Sequence, residues 1–250
     1  MYKDSDIFVV TGSTSGIGKA VVKSLLEEGA TVVAVGRCTK KLNQLEHEAN
    51  GSEKLFLECQ DLSLCDGLDK WIVKLSKKYG KLHGLVLSAG VQQITPVSSP
   101  FSVEKSKKLF EINYFSNIQL TKGFCDRRAN IGRGSSVVFL SSIASKRGNA
   151  GIVGYASSKG AINAAVKSLA LEYASSGVRI NAVLPGFVMT EMIETWKEVY
   201  TKEKIQELNN LYPLGLGKAE DIVSPILFLL SKKANWITGC EFIVDGGGSL

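Results

Sequence analysis

A tyrosine and a lysine four residues apart, Tyr155 and Lys159, are the residues whose types and spacing most clearly predict chemistry. They lie in the segment GYASSKGAINAAVKSLALEYA, which predicts a helix, so both side chains share one helix face, one turn apart. A nearby ammonium favours the ionised form of a phenol, because opposite charges attract. Ser142 lies thirteen residues before the tyrosine, in the strand-like run SSVVFLSS. The three residues predict a tyrosine that exchanges a proton near neutral pH.

The spacing of the tyrosine and the lysine is not specific by itself. Tyr200 and Lys204 repeat it at the start of YTKEKIQELNN, and the residue thirteen positions before this tyrosine is Phe187, not a serine. We treat this second pair as a measure of how easily the spacing arises by chance. The first pair is therefore informative only if other motifs accompany it.

A glycine-rich turn between a strand and a helix predicts a phosphate-binding loop. The apolar run IFVV at 7–10 predicts a buried strand, TGSTSGIG at 11–18 is the turn, and KAVVKSLLEEG predicts an amphipathic helix. Gly12 permits the tight turn. Gly16 and Gly18 let the backbone approach a pyrophosphate at the helix N-terminus, where free N–H groups bind anions. The alternative is a glycine-rich turn that binds nothing.

The second predicted strand, TVVAVGR at 31–37, ends in the residue that selects the dinucleotide. An acidic side chain at this point accepts from the ribose 2′-hydroxyl of NAD(H), whereas the guanidinium of Arg37 can pair with the 2′-phosphate of NADP(H). The sequence therefore predicts NADP(H) as the cofactor. The alternative is that Arg37 faces solvent at a strand end. Lys41, one helical turn later, either reinforces the site or is an exposed helix lysine.

Further motifs follow along the chain: SAG at 88–90, Asn113 in FEINYFSN, PGFVMT at 185–190 and the ending ITGCEFIVDGG. Together with the glycine-rich turn and the serine, tyrosine and lysine, they resemble the short-chain dehydrogenase/reductase family along nearly the whole chain. The resemblance implies an α/β Rossmann fold, a doubly wound parallel sheet with strand order 3-2-1-4-5-6-7 and helices on both faces. We expect residues 1–250 to form a single domain, because no linker or repeat divides them.

Hydride transfer between a nicotinamide and a carbonyl requires a proton donor for the developing alkoxide and a polar group aimed at its oxygen. Tyr155 is the predicted donor and Ser142 the polarising group. Lys159, together with the positive nicotinamide of the oxidised cofactor, stabilises the phenolate. The resemblance implies that Lys159 also binds the nicotinamide ribose and that Asn113 holds a water that relays protons to solvent. A turn serine, an ordinary helical pair and a helix-surface asparagine are the alternatives.

Residues from several motifs form the predicted cofactor site. The resemblance implies that Asp61 accepts from the adenine amine and that Val188 and Thr190 bind the nicotinamide carboxamide. Ser88 stands where the family usually has asparagine, so one hydroxyl replaces the donor and the acceptor of an amide. The full predicted set is Gly12, Ser13, Ser15, Gly16, Ile17, Gly18, Arg37, Asp61, Leu62, Ser88, Ala89, Gly90, Tyr155, Lys159, Pro185, Gly186, Val188 and Thr190.

The segment EMIETWKEVYTKEKIQELNNLY at 191–212 is the predicted substrate lid, a helical and amphipathic insertion. Its apolar candidates are Met192, Ile193, Trp196 and Val199. The alternative is a surface helix that packs its apolar stripe on the core. The loop VQQITPVSSP at 91–100 is expected to line the same cavity, with Gln92 and Gln93 as polar donors.

Composition excludes several other classes of protein. The net charge of +6 comes from basic residues in scattered pairs, such as Lys77 with Lys78, so no basic stripe predicts a nucleic-acid partner. Five cysteines and two histidines at no metal-ligand spacing predict no metal site and a reducing compartment. The N-terminal MYKDSDIFVV predicts a first strand and no signal peptide, and no run reaches the roughly 18 apolar residues of a membrane span. We expect a cytoplasmic protein without a membrane partner.

These observations predict an NADPH-dependent oxidoreductase that reduces a ketone to a secondary alcohol. The first substrate class is a 3-oxoacyl thioester on acyl carrier protein. The segment YPLGLGKAEDI at 212–222 resembles the 3-oxoacyl-[acyl-carrier-protein] reductases, although Leu216 replaces an arginine common there. A sugar, steroid or small-alcohol dehydrogenase is the alternative, and a catalytically silent cofactor-binding regulator is the alternative of another class. The resemblance implies a homotetramer or homodimer.

Overall fold

Seven parallel strands form the central sheet of the computed structural model, which describes residues 2–97 and 102–250. In chain order they are β1 (Ile7–Thr11), β2 (Thr31–Gly36), β3 (Leu55–Cys59), β4 (Gly84–Leu87), β5 (Ser136–Leu140), β6 (Arg179–Pro185) and β7 (Glu241–Val244). Their order across the sheet is β3-β2-β1-β4-β5-β6-β7. The predicted doubly wound parallel sheet and its strand order are confirmed.

Helices connect the strands and cover the sheet. They are α1 (Gly16–Glu27), α2 (Thr39–Glu48), α3 (Leu68–Tyr79), α4 (Val103–Phe110), α5 (Ser116–Phe124), α6 (Val153–Tyr173), α7 (Glu191–Glu194), α8 (Lys202–Leu211) and α9 (Ala219–Leu230). A π-helical turn, Glu111–Phe115, joins α4 to α5. Within residues 2–97 and 102–250, every helix falls short of the length or the apolar character that a bilayer crossing requires.

The strands are buried because helices lie on both faces of the sheet. Successive side chains of a strand point to opposite faces. Neighbours such as Val9 and Val10, or Leu85 and Val86, therefore belong to two separate apolar clusters. One cluster includes side chains of α3, α5 and α6, and the other includes side chains of α1, α2 and α9. Burial on both faces explains why the sequences of these strands are continuous apolar runs.

The carboxyl ends of the strands position the candidate residues. Strand β1 lies between β2 and β4, so the direction of winding reverses beside it, where such sheets open a crevice. Gly12 directly follows β1 and Ser88 directly follows β4. Ser142 lies two residues beyond β5, and Pro185 is the last residue of β6. Motifs that are far apart in the sequence therefore meet at one edge of the sheet.

The segment between β6 and α9 is less continuous than predicted. Two short helices, α7 and α8, replace a single helical insertion over 191–212, and turns occupy 195–199. Thr201 starts the second helix, because its side chain accepts from the backbone N–H of Lys204 at 3.3 Å and so caps the first turn. Of the loop predicted to line the cavity, residues 98–100 lie outside the described part of the chain.

Candidate active site

Helix α6 brings Tyr155 and Lys159 to one face, as their spacing predicts. The ammonium of Lys159 lies 5.8 Å from the centre of the Tyr155 ring. It donates a hydrogen bond of 2.6 Å to the carbonyl oxygen of Leu140, the last residue of β5. The hydroxyl of Ser142 accepts from the backbone N–H of Ala144 at 3.1 Å. The helix and the strand end thus place a phenol, an ammonium and a serine hydroxyl on the wall of one cleft.

Burial sets the proton affinities of this group. It lowers the pKa of Lys159 to about 8, because an ammonium loses its hydration inside the protein. Burial raises the pKa of the Tyr155 phenol, while hydrogen bonding with Ser142 lowers it and the nearby Tyr200 raises it further. The structure does not show the expected lowering of the Tyr155 pKa by the lysine, because burial is the largest cause of the shift and the ammonium donates to the Leu140 carbonyl oxygen.

Asn113 is fully buried in the π-helical turn between α4 and α5. Its side-chain oxygen accepts from the backbone N–H of Val91 at 2.8 Å, and its side-chain nitrogen donates to the Val91 carbonyl oxygen at 2.9 Å. The same nitrogen donates to the hydroxyl of Ser158, the neighbour of Lys159, at 3.1 Å. The alternative of a helix-surface asparagine is wrong. Asn113 ties the loop after β4 to the helix that carries the tyrosine and the lysine.

The glycine-rich turn packs backbone against backbone. A Cβ atom on Gly12 would lie 2.8 Å from the Cα of Ala89, and one on Gly18 would lie 2.2 Å from the carbonyl oxygen of Gly12. No side chain fits at either position, since such distances are shorter than van der Waals contact. The hydroxyl of Ser88 borders the same space, 3.2 Å from the Cβ position of Gly18. A residue as small as serine therefore suits this strand end.

The N-terminus of α1 already binds an anionic group. The backbone N–H of Gly16 donates a hydrogen bond of 2.8 Å to a carboxylate oxygen of Glu191, and the ammonium of Lys19 lies 3.9 Å from its other oxygen. Thr190 lies beside them, with its methyl carbon 3.2 Å from the Cβ position of Gly16. Exposed N–H groups at a helix start favour negative charge. The predicted pyrophosphate site is thus capable of holding an anionic oxygen.

The opposite end of the predicted cofactor site lies on the ends of β2 and β3. Arg37 is exposed directly after β2, and within the described chain its side chain makes no ion pair or hydrogen bond. The carboxylate of Asp61 accepts from the backbone N–H and the hydroxyl of Ser63 at 2.9 and 2.8 Å. These bonds, and to a smaller extent the charge of Arg37, hold the pKa of Asp61 below its usual value. A guanidinium and a carboxylate are therefore both available at this end.

A cleft of about 600 Å³ runs along the carboxyl ends of the strands. The predicted residues that line it are Gly12, Ser15, Gly16, Ile17, Ser88, Ala89, Gly90, Ser142, Tyr155, Lys159, Pro185, Gly186, Val188 and Thr190. Those that do not are Ser13, Gly18, Arg37, Asp61, Leu62 and Asn113. The Ser13 hydroxyl is turned away, donating to the Val35 carbonyl oxygen at 3.0 Å, and Leu62 packs in the apolar core. The Ser13 backbone N–H donates to the same oxygen at 3.2 Å and the residue is fully buried, so, contrary to the prediction, Ser13 has no free donor for a ligand.

The segment 191–212 covers the other side of the cleft. Met192, Ile193 and Val199 line it as predicted, whereas Trp196 does not, and of the two glutamines only Gln92 does. Glu191, Tyr200 and Lys204 were not predicted as cleft residues, although all three line it. The spacing of Tyr200 and Lys204 is still no evidence of a second catalytic pair. The acidic residue directly after the PGFVMT motif was the available signal for Glu191.

Comparison with known proteins agrees with this geometry. A family model described as enoyl-(acyl carrier protein) reductase matches residues 12–249. The 3-oxoacyl-[acyl-carrier-protein] reductase FabG of Thermotoga maritima is 31% identical over 252 residues, which cover 99% of each chain. The human L-xylulose reductase is 34% identical over 243 residues, which cover 96% of this chain and 94% of that protein.

The fold of this chain is also similar to that of solved structures. A candidate NAD(P)-dependent gluconate 5-dehydrogenase from Beutenbergia cavernae, with NADP bound at low occupancy, superposes with a TM-score of 0.90 at 28% identity. The match covers 98% of this chain and 96% of that one. This chain belongs to the short-chain dehydrogenase/reductase family of oxidoreductases, because the family model and the full-length relatives match it and its motifs and strand order are those expected of the family.

Proposed function

We propose that the protein is an NADPH-dependent reductase that converts a ketone to a secondary alcohol, with Tyr155 as the proton donor. The observation that carries the proposal is the Tyr155 phenol beside Ser142 and Lys159, in a cleft where Gly16 already holds an anionic oxygen. A proton donor, a cation and an anion-binding helix start in one cleft are the groups that a dinucleotide-dependent carbonyl reduction requires.

The residues along the cleft fit the dinucleotide. The backbone at Gly12, Gly16 and Gly18 would hold the pyrophosphate, Asp61 the adenine amine, and Thr190 the nicotinamide carboxamide. The tight backbone packing at Gly18 and the anionic oxygen on Gly16 support this placement. When bound, the reduced nicotinamide supplies the hydride that forms the new C–H bond at the carbonyl carbon.

Side chains of the protein donate the proton and replace it. Tyr155 donates its phenolic proton to the carbonyl oxygen as negative charge develops there, and the hydroxyl of Ser142 donates a hydrogen bond to the same oxygen. The ammonium of Lys159 stabilises the phenolate that is left. Reprotonation from solvent passes by way of Lys159. Asn113 contributes by holding the loop at Val91 against α6, next to the lysine.

The pH dependence of reduction follows from the two pKa shifts. Burial raises the pKa of Tyr155, so the phenol keeps its proton through neutral and mildly alkaline pH. Burial lowers the pKa of Lys159 to about 8, so the ammonium is lost as the pH rises through that value. We expect kcat/KM for reduction to be flat below about pH 7 and to fall above about pH 8. A pH profile of kcat/KM measures this, and a rate that rises through pH 8 would contradict the role of the ammonium.

Arg37 is the basis for the choice of NADPH over NADH. Its exposed guanidinium follows β2 and lies close enough to Asp61 to lower the pKa of that carboxyl. Titration of the purified protein with each reduced dinucleotide, followed by nicotinamide fluorescence, tests the cofactor. We expect NADPH to bind at least about tenfold more tightly than NADH.

A substitution tests whether the Arg37 guanidinium selects the cofactor. Arg37→Leu should reduce NADPH affinity and leave NADH affinity nearly unchanged, because only NADPH carries the 2′-phosphate. Lys77→Leu, on α3, removes one positive charge elsewhere and serves as the control. Equal affinities of the parent for both dinucleotides would remove Arg37 from the site and favour NAD-linked alcohol oxidation.

Glu191 competes with the cofactor in this proposal. Its carboxylate takes the Gly16 N–H that the pyrophosphate needs, so the cofactor must displace it. We expect Glu191→Gln to tighten NADPH binding by about tenfold, because a neutral amide competes less well at a helix N-terminus. Fluorescence titration measures this, with Glu194→Gln on the same short helix as the control. Weaker binding by the Glu191 variant would mean that the carboxylate supports the cofactor.

Two substrate classes have support. A 3-oxoacyl thioester, presented on acyl carrier protein, is supported by the segment at 212–222 and by the similarity to the Thermotoga protein. A sugar, steroid or small alcohol is supported to the same degree by the L-xylulose reductase and by the polar residues at the substrate end of the cleft. A panel of acetoacetyl thioesters, ketoses and ketosteroids decides between them. Cofactor binding without turnover of any carbonyl or alcohol would favour the silent regulator.

Assembly and location are part of the same proposal. Large apolar side chains are exposed at several places, among them Val103 in α4, Phe115 in the π-helical turn, Leu171 in α6, Trp236, and Ile243 in β7. Such surfaces favour pairing of copies into a homodimer or homotetramer. The cysteines are all free, which favours the reducing cytoplasm. Light scattering of the purified protein gives the mass of the assembly.

A further inference from the structure

Tyr200 lies between the two lid helices, on the wall of the same cleft as Tyr155. Its ring packs edge-on against Phe187, with 5.1 Å between the ring centres. The side-chain nitrogen of Gln92, from the loop after β4, donates a hydrogen bond of 3.3 Å to its hydroxyl oxygen. A lid residue and a loop residue are thus joined across the cleft, and the phenol is half-buried and fixed in orientation.

The hydroxyl of Tyr200 retains a proton to donate. A phenol has a single O–H, and its oxygen here accepts from Gln92. In the described part of the chain no protein acceptor receives that O–H. A ligand that fills the cleft shields this donor from water, so a ligand that accepts the bond is favoured over one that leaves the donor unpaired. The donor is therefore free for a ligand.

The free donor lies on the wall of the cleft that also holds Tyr155. Both tyrosines line this cleft, and Tyr200 raises the pKa of Tyr155. The Tyr212 hydroxyl also accepts one bond, from the backbone N–H of Phe187 at 3.1 Å, so it too keeps an O–H to donate. Tyr200 differs from it in being held by a side chain from the loop after β4, that of Gln92. The surrounding cleft wall includes the apolar residues Ile94, Ile152 and Val199, so a hydroxyl donor held across the cleft stands beside apolar surface.

We propose that Tyr200, held by Gln92, binds a second oxygen of the substrate, so that the cleft selects ketones carrying a hydroxyl or carbonyl oxygen near the reacting carbonyl. This inference rests on the proposed ketone reduction and specifies its substrate class. Tyr155 donates its proton to the reacting carbonyl oxygen, and Tyr200 donates a hydrogen bond to the neighbouring oxygen of the substrate. A plain alkyl ketone leaves the Tyr200 donor unpaired when it fills the cleft, and sites built in this way discriminate strongly against such analogues.

The test compares two ketones that differ by one hydroxyl, 1-hydroxyhexan-2-one and hexan-2-one, with NADPH. We expect the parent protein to prefer the hydroxyketone by about tenfold or more in kcat/KM, and Tyr200→Phe to lower that ratio by about tenfold, mainly through KM. Gln92→Leu should lower the ratio less, because it frees the phenol without removing it. Tyr173→Phe, outside the cleft, should leave the ratio unchanged.

Binding of both ketones to the complex with NADPH is measured in parallel by calorimetry. Retained preference in Tyr200→Phe, or no preference in the parent by either method, would overturn the assignment. If the parent binds the hydroxyketone more tightly, and Tyr200→Phe removes the difference, the assignment stands even where turnover is absent. Absence of turnover for every carbonyl would then contradict the proposed reduction alone, so the two failures are distinguishable.

Discussion

Replacing Tyr155 with phenylalanine is expected to lower kcat for ketone reduction by about 1,000-fold and to change NADPH affinity by no more than about twofold. The substitution removes the only atom that carries the proton and keeps the ring that packs in the cleft. Ser142 would remain to polarise the carbonyl, but an aliphatic hydroxyl is a much weaker acid than a phenol and would not give up its proton. Steady-state reduction of the best substrate of the panel measures kcat, and nicotinamide fluorescence measures affinity.

Tyr173→Phe is the matched control for this loss. Tyr173 is the last residue of the same helix, α6, is partly buried and does not line the cleft, so its variant should reduce ketones at the parent rate. Thermal unfolding of both variants checks that the fold is intact. A Tyr155 variant with parent-like kcat would remove the phenol from the mechanism. An equal loss in both variants would instead indicate a general disturbance of the helix.

Features set by local patterns could be predicted from the sequence. Buried strands appear as continuous apolar runs, and the turn from β1 to α1 is marked by glycines whose missing side chains the packing requires. Strand and helix alternation predicts parallel strands with right-handed crossovers, whereas the order of the strands was expected from the family resemblance. The tyrosine and lysine at one-turn spacing share a helix face because of the helical period. For the apolar strands and for this pair, the determining pattern lies within a few residues.

Contacts between distant segments could not be predicted in this way. The bond from Gly16 to Glu191 joins residues 175 positions apart, and the bond from Gln92 to Tyr200 joins residues 108 positions apart. Both depend on how the segment 191–212 folds over the cleft. Its helical period indicates amphipathicity and gives no information on which loop it will touch. The pair of Tyr200 with Lys204 illustrates the limit, because its spacing is that of Tyr155 and Lys159, yet Tyr200 precedes helix α8 and only Lys204 lies in it.

Hydrogen bonds between buried polar groups could not be predicted from the sequence either. Arg179 is only 6% exposed, and its guanidinium donates to the carbonyl oxygens of Leu229 and Ser231 at the end of α9, at 2.7 and 3.2 Å. An arginine at the start of a strand predicts a solvent-facing charge. Here the last carbonyl groups of a helix need donors, and the negative end of its dipole favours a cation. Such capping becomes visible only when the helix is placed beside the strand.

Replacing Gly18 with alanine is expected to weaken NADPH binding by roughly 10- to 100-fold, because a hydrogen bond from the backbone to the charged pyrophosphate contributes about 1.5–3 kcal/mol and would be lost. The new Cβ would lie 2.2 Å from the carbonyl oxygen of Gly12, so the start of α1 must move away from the turn that shapes the pyrophosphate site. Gly148→Ala is the control, since nothing lies within 4 Å of its Cβ position. Fluorescence titration gives the affinities, and thermal unfolding separates a local shift from loss of the fold. Parent-like NADPH affinity in a folded Gly18 variant would mean that the pyrophosphate does not depend on this backbone approach.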